Sequence, residues 1–291
     1  MEYKPYSERV KFLSRLPNSK KIGDLAFIGS YSSLSYMANL EESRAQDLTM
    51  DQQMKYGVRF FDIGVIVRSK SLEIYLDDET PYIDLEEGLA PIDRFLDENP
   101  SEFVILHLAQ VFPFSINVTR GLCGILNSLL KTSVGKRFVT NWKLGDTIEQ
   151  YRSKILLASL DFAFYGCTFS LRSECNINYD FVNRYESPLT DLKKKWQSIV
   201  YLMRLSFLGI EKCYINSMSF FDSEHSRRAI SKDGGYSYNN ACAMPINYLI
   251  VQHFKKPRNR LVVVLSEFLT QNLIDAVGDT NFAPGVVWRF S

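Results

Sequence analysis

His107 is the strongest candidate for acid–base chemistry in this 291-residue chain, which contains three histidines. It lies in a strand-like run, residues 103–110, where alternation places it on the same face as Ala109. An imidazole exchanges a proton readily near neutral pH, so His107 could serve as a general base. The alternative is a core histidine whose ring nitrogens are satisfied by hydrogen bonds.

Carboxylates offer a second set of candidates. Asp62 and Glu267 could act as an acid–base pair or bind a cation, or both could be held by hydrogen bonds for structural reasons. The acidic cluster at residues 77–79 could attract a cation, although a solvated turn explains it as well. No glycine-rich nucleotide-binding motif occurs, and we expect no cofactor and no bound metal.

The two remaining histidines are weaker candidates. His225 follows Asp222 and Ser223, so a Ser/His/Asp arrangement can be drawn there, but an ordinary polar loop accounts for the same residues. His253 is predicted near a helix C-terminus, where a positive charge complements the helix dipole.

The charge balance limits the kinds of partner. With 34 basic and 33 acidic residues the net charge is +1, which disfavours nucleic-acid binding driven by bulk charge. Two basic runs, residues 193–195 and 255–260, could contact anionic lipid headgroups, each residue contributing about 1 kcal/mol near the surface. Solvated helix faces and ends explain these runs equally well.

Cysteine usage and the N-terminus bear on the compartment. Residues 1–21 contain no apolar stretch, and no run of about 18 apolar residues occurs anywhere. The five cysteines are scattered and odd in number, without a C-x-x-C pair. We therefore expect reduced, buried thiols in an intracellular protein, with peripheral membrane association left open. The cysteines are Cys123, Cys167, Cys175, Cys213 and Cys242.

The elements that must position these residues alternate between strand-like and helical patterns. This alternation predicts an α/β fold with a largely parallel sheet. The predicted strands lie near residues 25–29, 58–67, 72–76, 103–108, 154–159, 212–218 and 261–266. The predicted helices lie near residues 9–15, 48–56, 84–99, 121–130, 190–205 and 239–254. About seven strands fit a single irregular (β/α) TIM-type barrel, whereas a doubly wound open sheet is the alternative.

One domain over residues 1–291 accommodates this pattern. Residues 1–20 contain a short N-terminal helix, and residues 281–291 form a C-terminal extension with one further strand.

Several short motifs occur in a fixed order along the chain. They are residues 27–33 (FIGSYSS), 57–63 (GVRFFDI), 95–102 (FLDENPSE), 143–146 (KLGD), 154–157 (KILL), 214–219 (YINSMS), 239–254 and 262–268. These segments resemble the bacterial-type phosphatidylinositol-specific phospholipase C (PI-PLC) X-domain family of PLC-like phosphodiesterases. Each motif is weak alone, but their order and spacing are hard to obtain by chance.

The resemblance implies a defined chemistry. In the family a base removes the proton of the inositol 2-hydroxyl, which attacks phosphorus to form a cyclic phosphodiester. An acid protonates the departing diacylglycerol oxygen, and an arginine or a calcium ion stabilises the phosphoryl oxygens.

The family's catalytic positions are largely substituted in this chain. Tyr31 replaces the first histidine, and a tyrosine with a reference pKa near 10 is a poor base at neutral pH. Gly64 stands where the arginine or the calcium-binding acid should be. The second histidine falls near Leu76 and Asp77, where no histidine occurs. The full set of equivalent positions is Tyr31, Ser32, Asp62, Gly64, Leu76, Asp77, Ala109 and Glu267.

Three hypotheses follow from these substitutions. The first is a pseudoenzyme of this family that binds a phosphoinositide headgroup, a membrane surface or a protein partner. The second is an active phosphodiesterase with a rebuilt site, which requires Asp62, Glu267 and His107 to converge at one barrel mouth. The third is a structural or regulatory protein whose mouth has filled in, in which case no open polar pocket should lie beside Tyr31 and Asp62.

Overall fold

A computed structural model describes residues 3–68, 70–111, 122–178, 188–208, 213–220, 225–235, 237–238, 241–242, 244–251 and 261–282. Its strands are β1 Ala26–Ser30, β2 Phe60–Arg68, β3 Ser71–Ile74, β4 Ile83–Asp84, β5 Val104–Gln110, β6 Phe138–Val139, β7 Ile155–Ser159, β8 Phe169–Ser170, β9 Cys175–Ile177, β10 Cys213–Ser217, β11 Ser237–Tyr238, β12 Ala241–Cys242 and β13 Leu261–Ser266. Its helices are α1 Met50–Tyr56, α2 Leu85–Glu98, α3 Leu122–Leu129, α4 Leu171–Glu174, α5 Pro188–Leu208, α6 Ile246–Val251 and α7 Gln271–Gly278.

The main sheet is parallel and follows the order β6-β7-β5-β2-β1-β13-β10-β9. The hairpin strands β3 and β4 extend from β2, and β8 pairs with β7. Within the described residues β9 pairs only with β10, so the sheet forms a half-barrel with an opening between β8 and β9. The irregular (β/α) barrel predicted from the sequence is confirmed.

Two apolar clusters lie on opposite faces of the sheet. The outer cluster joins the strands to the helices, and the inner cluster takes one set of alternating residues from the main parallel strands, such as β1, β5, β7 and β13. In β1, for example, Phe27 belongs to the inner cluster while Ala26 and Ile28 belong to the outer one. Burial on both faces explains why the strands read as nearly continuous apolar runs, as is usual for parallel sheets.

Local signals explain two of the helix boundaries. Thr49 and Gln52 form a capping box at the start of α1, and Gly57 ends that helix with a φ of +111°, in the left-handed region that favours glycine. The Asp84 carboxylate accepts the N–H of Glu86 at the start of α2. The Gly57 cap ends α1 three residues before β2 begins, and the Asp84 cap sets where α2 begins after β4.

A buried ion pair joins the strand starts of the GVRF and NPSE motifs. Arg59 donates from Nε and Nη2 to Glu102 Oε2 at 3.0 and 2.9 Å, and both side chains are 0% exposed. Glu102 also accepts the backbone N–H groups of Leu13 and Ser14, and Arg59 donates to the Val10 carbonyl. The two motifs therefore hold the N-terminal segment against the floor of the barrel.

Some helix predictions were wrong. The helix expected from residue 239 begins at Ile246, because residues 241–242 pair with residues 237–238 as short antiparallel strands and Pro245 directly precedes the helix. The N-terminal helix is one 3₁₀ turn, Phe12–Arg15. Helix α7 was not predicted at all. The extension beyond residue 282, the end of the predicted 239–254 helix and the cap residues 239–240 lie outside the described residues.

The expectation of reduced thiols was also wrong. Cys123 pairs with Cys167 and Cys175 pairs with Cys213, both as disulfides. The second bond links directly opposed residues of the neighbouring strands β9 and β10. Disulfides are typical of oxidising compartments, so the intracellular expectation loses the support that it drew from the cysteines. In the part of the chain that is described, no helix is long and apolar enough to cross a bilayer.

Candidate functional site at the barrel mouth

Asp62 and His107 are opposed residues of β2 and β5, on the inner face of the half-barrel. Asp62 Oδ1 lies 2.7 Å from His107 Nδ1, and Asp62 Oδ2 accepts the Ser32 N–H at 3.0 Å. His107 Nε2 accepts the Leu160 N–H at 3.3 Å, which leaves the ring proton on Nδ1, where it is donated to Asp62. The histidine is only 2% exposed, and both of its ring nitrogens are engaged within the protein.

A cavity of about 570 Å³ opens beside His107 at the carboxyl ends of β5 and β7. Residues of α4 and β9, the segments that follow β8 at the opening of the sheet, also line it. Polar side chains line much of it: Gln110, Asp161, Arg172, Ser173, Glu174 and Asn176. The mouth is therefore open and polar on the side of His107, and it has not filled in there.

Arg172 is the cation of this cavity. Its Nε donates to the Leu160 carbonyl at 3.0 Å, and its guanidinium carbon lies 4.9 Å from the centre of the Phe162 ring. In the same cavity, Asp161 Oδ2 accepts the Gln110 N–H at 2.6 Å. The cavity thus combines one guanidinium with a carboxylate held at a fixed position.

Glu267 belongs to a separate cluster. It is fully buried, and its Oε1 accepts from Arg227 Nη1 at 2.7 Å and from Ser219 Oγ at 2.9 Å, while Oε2 accepts from Ser231 Oγ at 3.1 Å. Burial raises the pKa of Glu267, against the opposing effect of Arg227. These bonds hold the carboxylate in the protein interior, and Glu267 is not among the residues that line the cavity.

Tyr31 lies between these two groups. Burial, followed by the negative charge of Asp62, raises the pKa of Tyr31 above its usual value, while the Arg227 charge lowers it. The phenol is therefore neutral at physiological pH and is unsuited to act as a base. The structure brings Asp62 and His107 into contact and places Tyr31 beside both Asp62 and Glu267.

The position that the resemblance aligns with the phosphate-binding cation has no room for one. A Cβ added at Gly64 would lie 2.8 Å from Val111 Cγ2 and 3.4 Å from the Tyr75 carbonyl. Ala109, on the next strand, lines the cavity with a methyl group only. Neither Gly64 nor Ala109 therefore supplies a positive charge to an anion at this mouth.

The segment that the resemblance aligns with the family's second histidine forms a turn. Leu76 packs against the outer core, and Asp77 is buried. Asp77 Oδ1 accepts the N–H groups of Glu79 and Thr80, and Oδ2 accepts the Leu40 N–H. The described residues contain no group of three or more side chains placed to hold a metal ion.

We predict that Asp77→Asn destabilises the protein in a pH-dependent way. Burial opposes ionisation of Asp77, but the hydrogen bonds from Thr80, Leu40 and Glu79 lower its pKa overall. The stabilisation is therefore present above the unfolded-state pKa of about 3.9 and is lost as the pH falls through the lower folded-state value. Thermal melts should show the wild type more stable at pH 7 and the two proteins converging below pH 4. A difference that is constant with pH would contradict this role.

Other candidates fall partly or wholly outside the described residues. His225 is described, but its proposed partners Asp222 and Ser223 are not, and neither are His253 and residues 255–260. In the run 193–195, Lys193 and Lys194 are exposed, whereas Lys195 is buried and its Nζ lies 3.4 Å from the Asn178 carbonyl. The solvated-face interpretation thus fits two of these three lysines.

Comparisons with known proteins point to one fold. Neither a protein-family model nor a curated protein matches the sequence. A solved PI-PLC from Listeria monocytogenes matches with a TM-score of 0.70 and 18% identity over 95% of this chain and 100% of its own. A PI-PLC from Staphylococcus aureus, from a study of its membrane binding, matches with a TM-score of 0.72 and 16% identity over 96% of this chain and 99% of its own. The chain has the fold of the bacterial phosphatidylinositol-specific phospholipases C.

Proposed function

We propose that this protein binds a phosphoinositide headgroup in the cavity at its barrel mouth and does not cleave it at enzyme rates. The observation that carries the proposal is the state of His107. Its Nδ1 proton is donated to Asp62, its Nε2 accepts the Leu160 N–H, and the ring is nearly inaccessible. The one histidine at this mouth among the described residues therefore has no free nitrogen with which to take a proton from a substrate.

The strand position of the family's cation supports the same conclusion. Gly64 has no side chain and is crowded by Val111, and Ala109 on the neighbouring strand is uncharged, so these two positions offer nothing to a developing phosphoryl charge. Loss of a general acid or base typically lowers a rate about 10²–10⁴-fold for each group, although such losses are not strictly additive. An open polar cavity whose histidine is engaged within the protein suits binding better than turnover.

Exposed aromatic residues support binding at a membrane surface. Phe162 and Tyr165 lie in the loop after β7 and are 75% and 70% exposed, and the Phe162 ring lies against the cavity residue Arg172. Aromatic rings on a rim can enter the interfacial region of a bilayer while the polar cavity faces the headgroups. The membrane-binding studies of the S. aureus enzyme make this arrangement a reasonable expectation for a protein of the same fold.

The proposal predicts no cyclic phosphate release at ordinary enzyme rates. Purified protein is incubated with phosphatidylinositol vesicles, with and without calcium, and inositol 1,2-cyclic phosphate is measured. We expect turnover at least about 10⁴-fold below a typical enzyme value near 10 s⁻¹. Turnover of several per second would overturn the inactive assignment.

Binding is measured by sedimentation with the same vesicles. The protein should sediment with vesicles that contain phosphatidylinositol and should not sediment with vesicles that lack it.

A slow phosphodiesterase is the second candidate, and the contact between Asp62 and His107 favours it. A carboxylate on Nδ1 is the arrangement that orients an imidazole whose Nε2 acts as a base, and the 3.3 Å bond to Leu160 is long enough to be exchanged for a substrate hydroxyl. His107→Asn distinguishes the candidates, because the amide keeps a donor towards Asp62. Residual turnover that this variant abolishes would favour the slow enzyme, whereas unchanged background would favour binding alone.

A further inference from the structure

We propose that Arg172 is the residue that binds the phosphate of the headgroup in this cavity. This inference rests on the proposed headgroup binding and assigns its principal charged contact. It relies on an arrangement that the sequence pattern did not reveal. The Arg172 guanidinium is hydrogen-bonded on one side, is open on the other, and lines the cavity beside His107.

The guanidinium of Arg172 is preorganised. Nε is fixed by the Leu160 carbonyl at 3.0 Å, and the plane is covered by the Phe162 ring at 4.9 Å. Its Nη1 and Nη2 groups make no hydrogen bond or ion pair with the part of the chain that the structure describes. Because the side chain is already held in place, binding a ligand through its Nη groups costs little conformational entropy. These groups have the geometry that binds two phosphate oxygens together.

Arg227, the other arginine described near the mouth, is paired with the buried Glu267 carboxylate, and Gly64 and Ala109 leave the strand positions uncharged. Among the described residues that line the cavity, Arg172 is the only arginine or lysine. Within this part of the chain, an anion in the cavity therefore has Arg172 as its strongest electrostatic partner.

The acidic residues of the cavity narrow the class of ligand. Asp161 and Glu174 line the same space as Arg172. Carboxylates repel a bare phosphate but accept hydrogen bonds from hydroxyl groups, and each has acceptor capacity for several donors. A ring that carries one phosphate and several hydroxyls suits both kinds of residue, with its phosphate for the arginine and its hydroxyls for the two carboxylates. Inositol phosphate has this chemistry, whether it is free or forms the headgroup of a lipid.

The experiment uses the full chain with its disulfides intact. Titration calorimetry measures binding of inositol 1-phosphate, inositol and inorganic phosphate, and sedimentation measures binding to phosphatidylcholine vesicles with and without phosphatidylinositol. The variants are Arg172→Ala and Arg172→Lys, which replaces the fork by a point charge. Arg68→Ala is the matched control, because Arg68 is also an exposed arginine over an aromatic ring, at 4.3 Å from Tyr82, but does not line the cavity.

We expect Arg172→Ala to weaken inositol phosphate binding about 10–100-fold, the usual effect of removing charged hydrogen bonds. Arg172→Lys should be intermediate and Arg68→Ala unchanged. Inositol phosphate should bind more tightly than inorganic phosphate or inositol alone. Binding of the soluble ligand indicates a free source, and binding to vesicles only indicates a lipid headgroup. Binding from either source supports the inference if the Arg172→Ala variant binds that ligand more weakly than the wild type.

The opposite outcomes separate the two proposals. If the wild type binds inositol phosphate or phosphatidylinositol vesicles and Arg172→Ala binds equally well, the assignment of Arg172 is overturned while headgroup binding stands. The Arg172 assignment is also overturned if Arg68→Ala loses as much affinity as Arg172→Ala.

The class of ligand is tested separately. If inorganic phosphate binds as tightly as inositol phosphate, the argument that the cavity selects a polyhydroxylated ring is overturned. A wild type that binds none of these probes would overturn the proposed function, and this inference with it. Unchanged melting temperatures establish that the variants are folded.

Discussion

Glu102→Ala is expected to lower the free energy of unfolding by about 3–5 kcal/mol, the usual result of breaking a buried ion pair from one side. The variant would leave the Arg59 guanidinium fully buried without its carboxylate. It would also leave the Leu13 N–H without its acceptor and the Ser14 N–H with only the Lys11 carbonyl. Because natural domains are stable by only about 5–15 kcal/mol, the loss is a large fraction of the total stability. Urea denaturation followed by circular dichroism measures the change.

Two controls separate charge burial from general disruption. The double variant Arg59→Met/Glu102→Leu removes both charges and should be more stable than Glu102→Ala alone, because no isolated charge remains buried. Arg94 pairs with Asp51 on the surface, where both side chains are about 60% exposed, and Arg94→Ala should cost less than about 1 kcal/mol. Equal losses from Glu102→Ala and Arg94→Ala would show that the buried pair has no special role.

Removal of the disulfide between β9 and β10 is the second change with a large expected effect. Cys175 and Cys213 are 38 residues apart, and closing a loop of that size in the unfolded chain corresponds to about 4 kcal/mol in the chain-entropy model. Cys175→Ser/Cys213→Ser should therefore melt well below the wild type. Since Cys175 also lines the cavity, the variant should bind ligand less tightly.

Thiol chemistry gives an independent check of both bonds. Alkylation of the unfolded protein before reduction should label one of its five cysteines, and reduction should release four more thiols. Dithiothreitol should destabilise the wild type more than Cys175→Ser/Cys213→Ser, which retains only the Cys123–Cys167 bond. Five thiols labelled without reduction, in protein purified under oxidising conditions, would contradict the pairing.

Helices and strands whose ends are set by residues close in sequence could be predicted from the sequence. Gly57 and Asp84 mark helix ends by their own backbone and side-chain chemistry, and β13 is an apolar run long enough to be a buried strand. Helix α7 could have been found in the same way, because Leu273, Ile274 and Val277 follow helical spacing and are buried.

Contacts between distant segments could not be predicted in this way. The Arg59–Glu102 pair joins two motifs that were both recognised, but their pairing depends on the register of β2 and β5. The disulfides have no diagnostic spacing, since the bonded cysteines are 44 and 38 residues apart. Arg172 lies on a helix of four residues, too short to leave a periodic signal, and its importance comes from the cavity that it lines.

The strand order also bears on how the chain folds as it is synthesised. Strand β1 pairs with β2 at only two positions but with β13 at five, from Ala26↔Val262 to Ser30↔Ser266. Its main partner therefore leaves the ribosome 236 residues after it. Until then one edge of β1 stays unpaired, and such long-range pairing is slow and exposed to aggregation. The topology therefore leaves the nascent N-terminal half open to aggregation until β13 has been made.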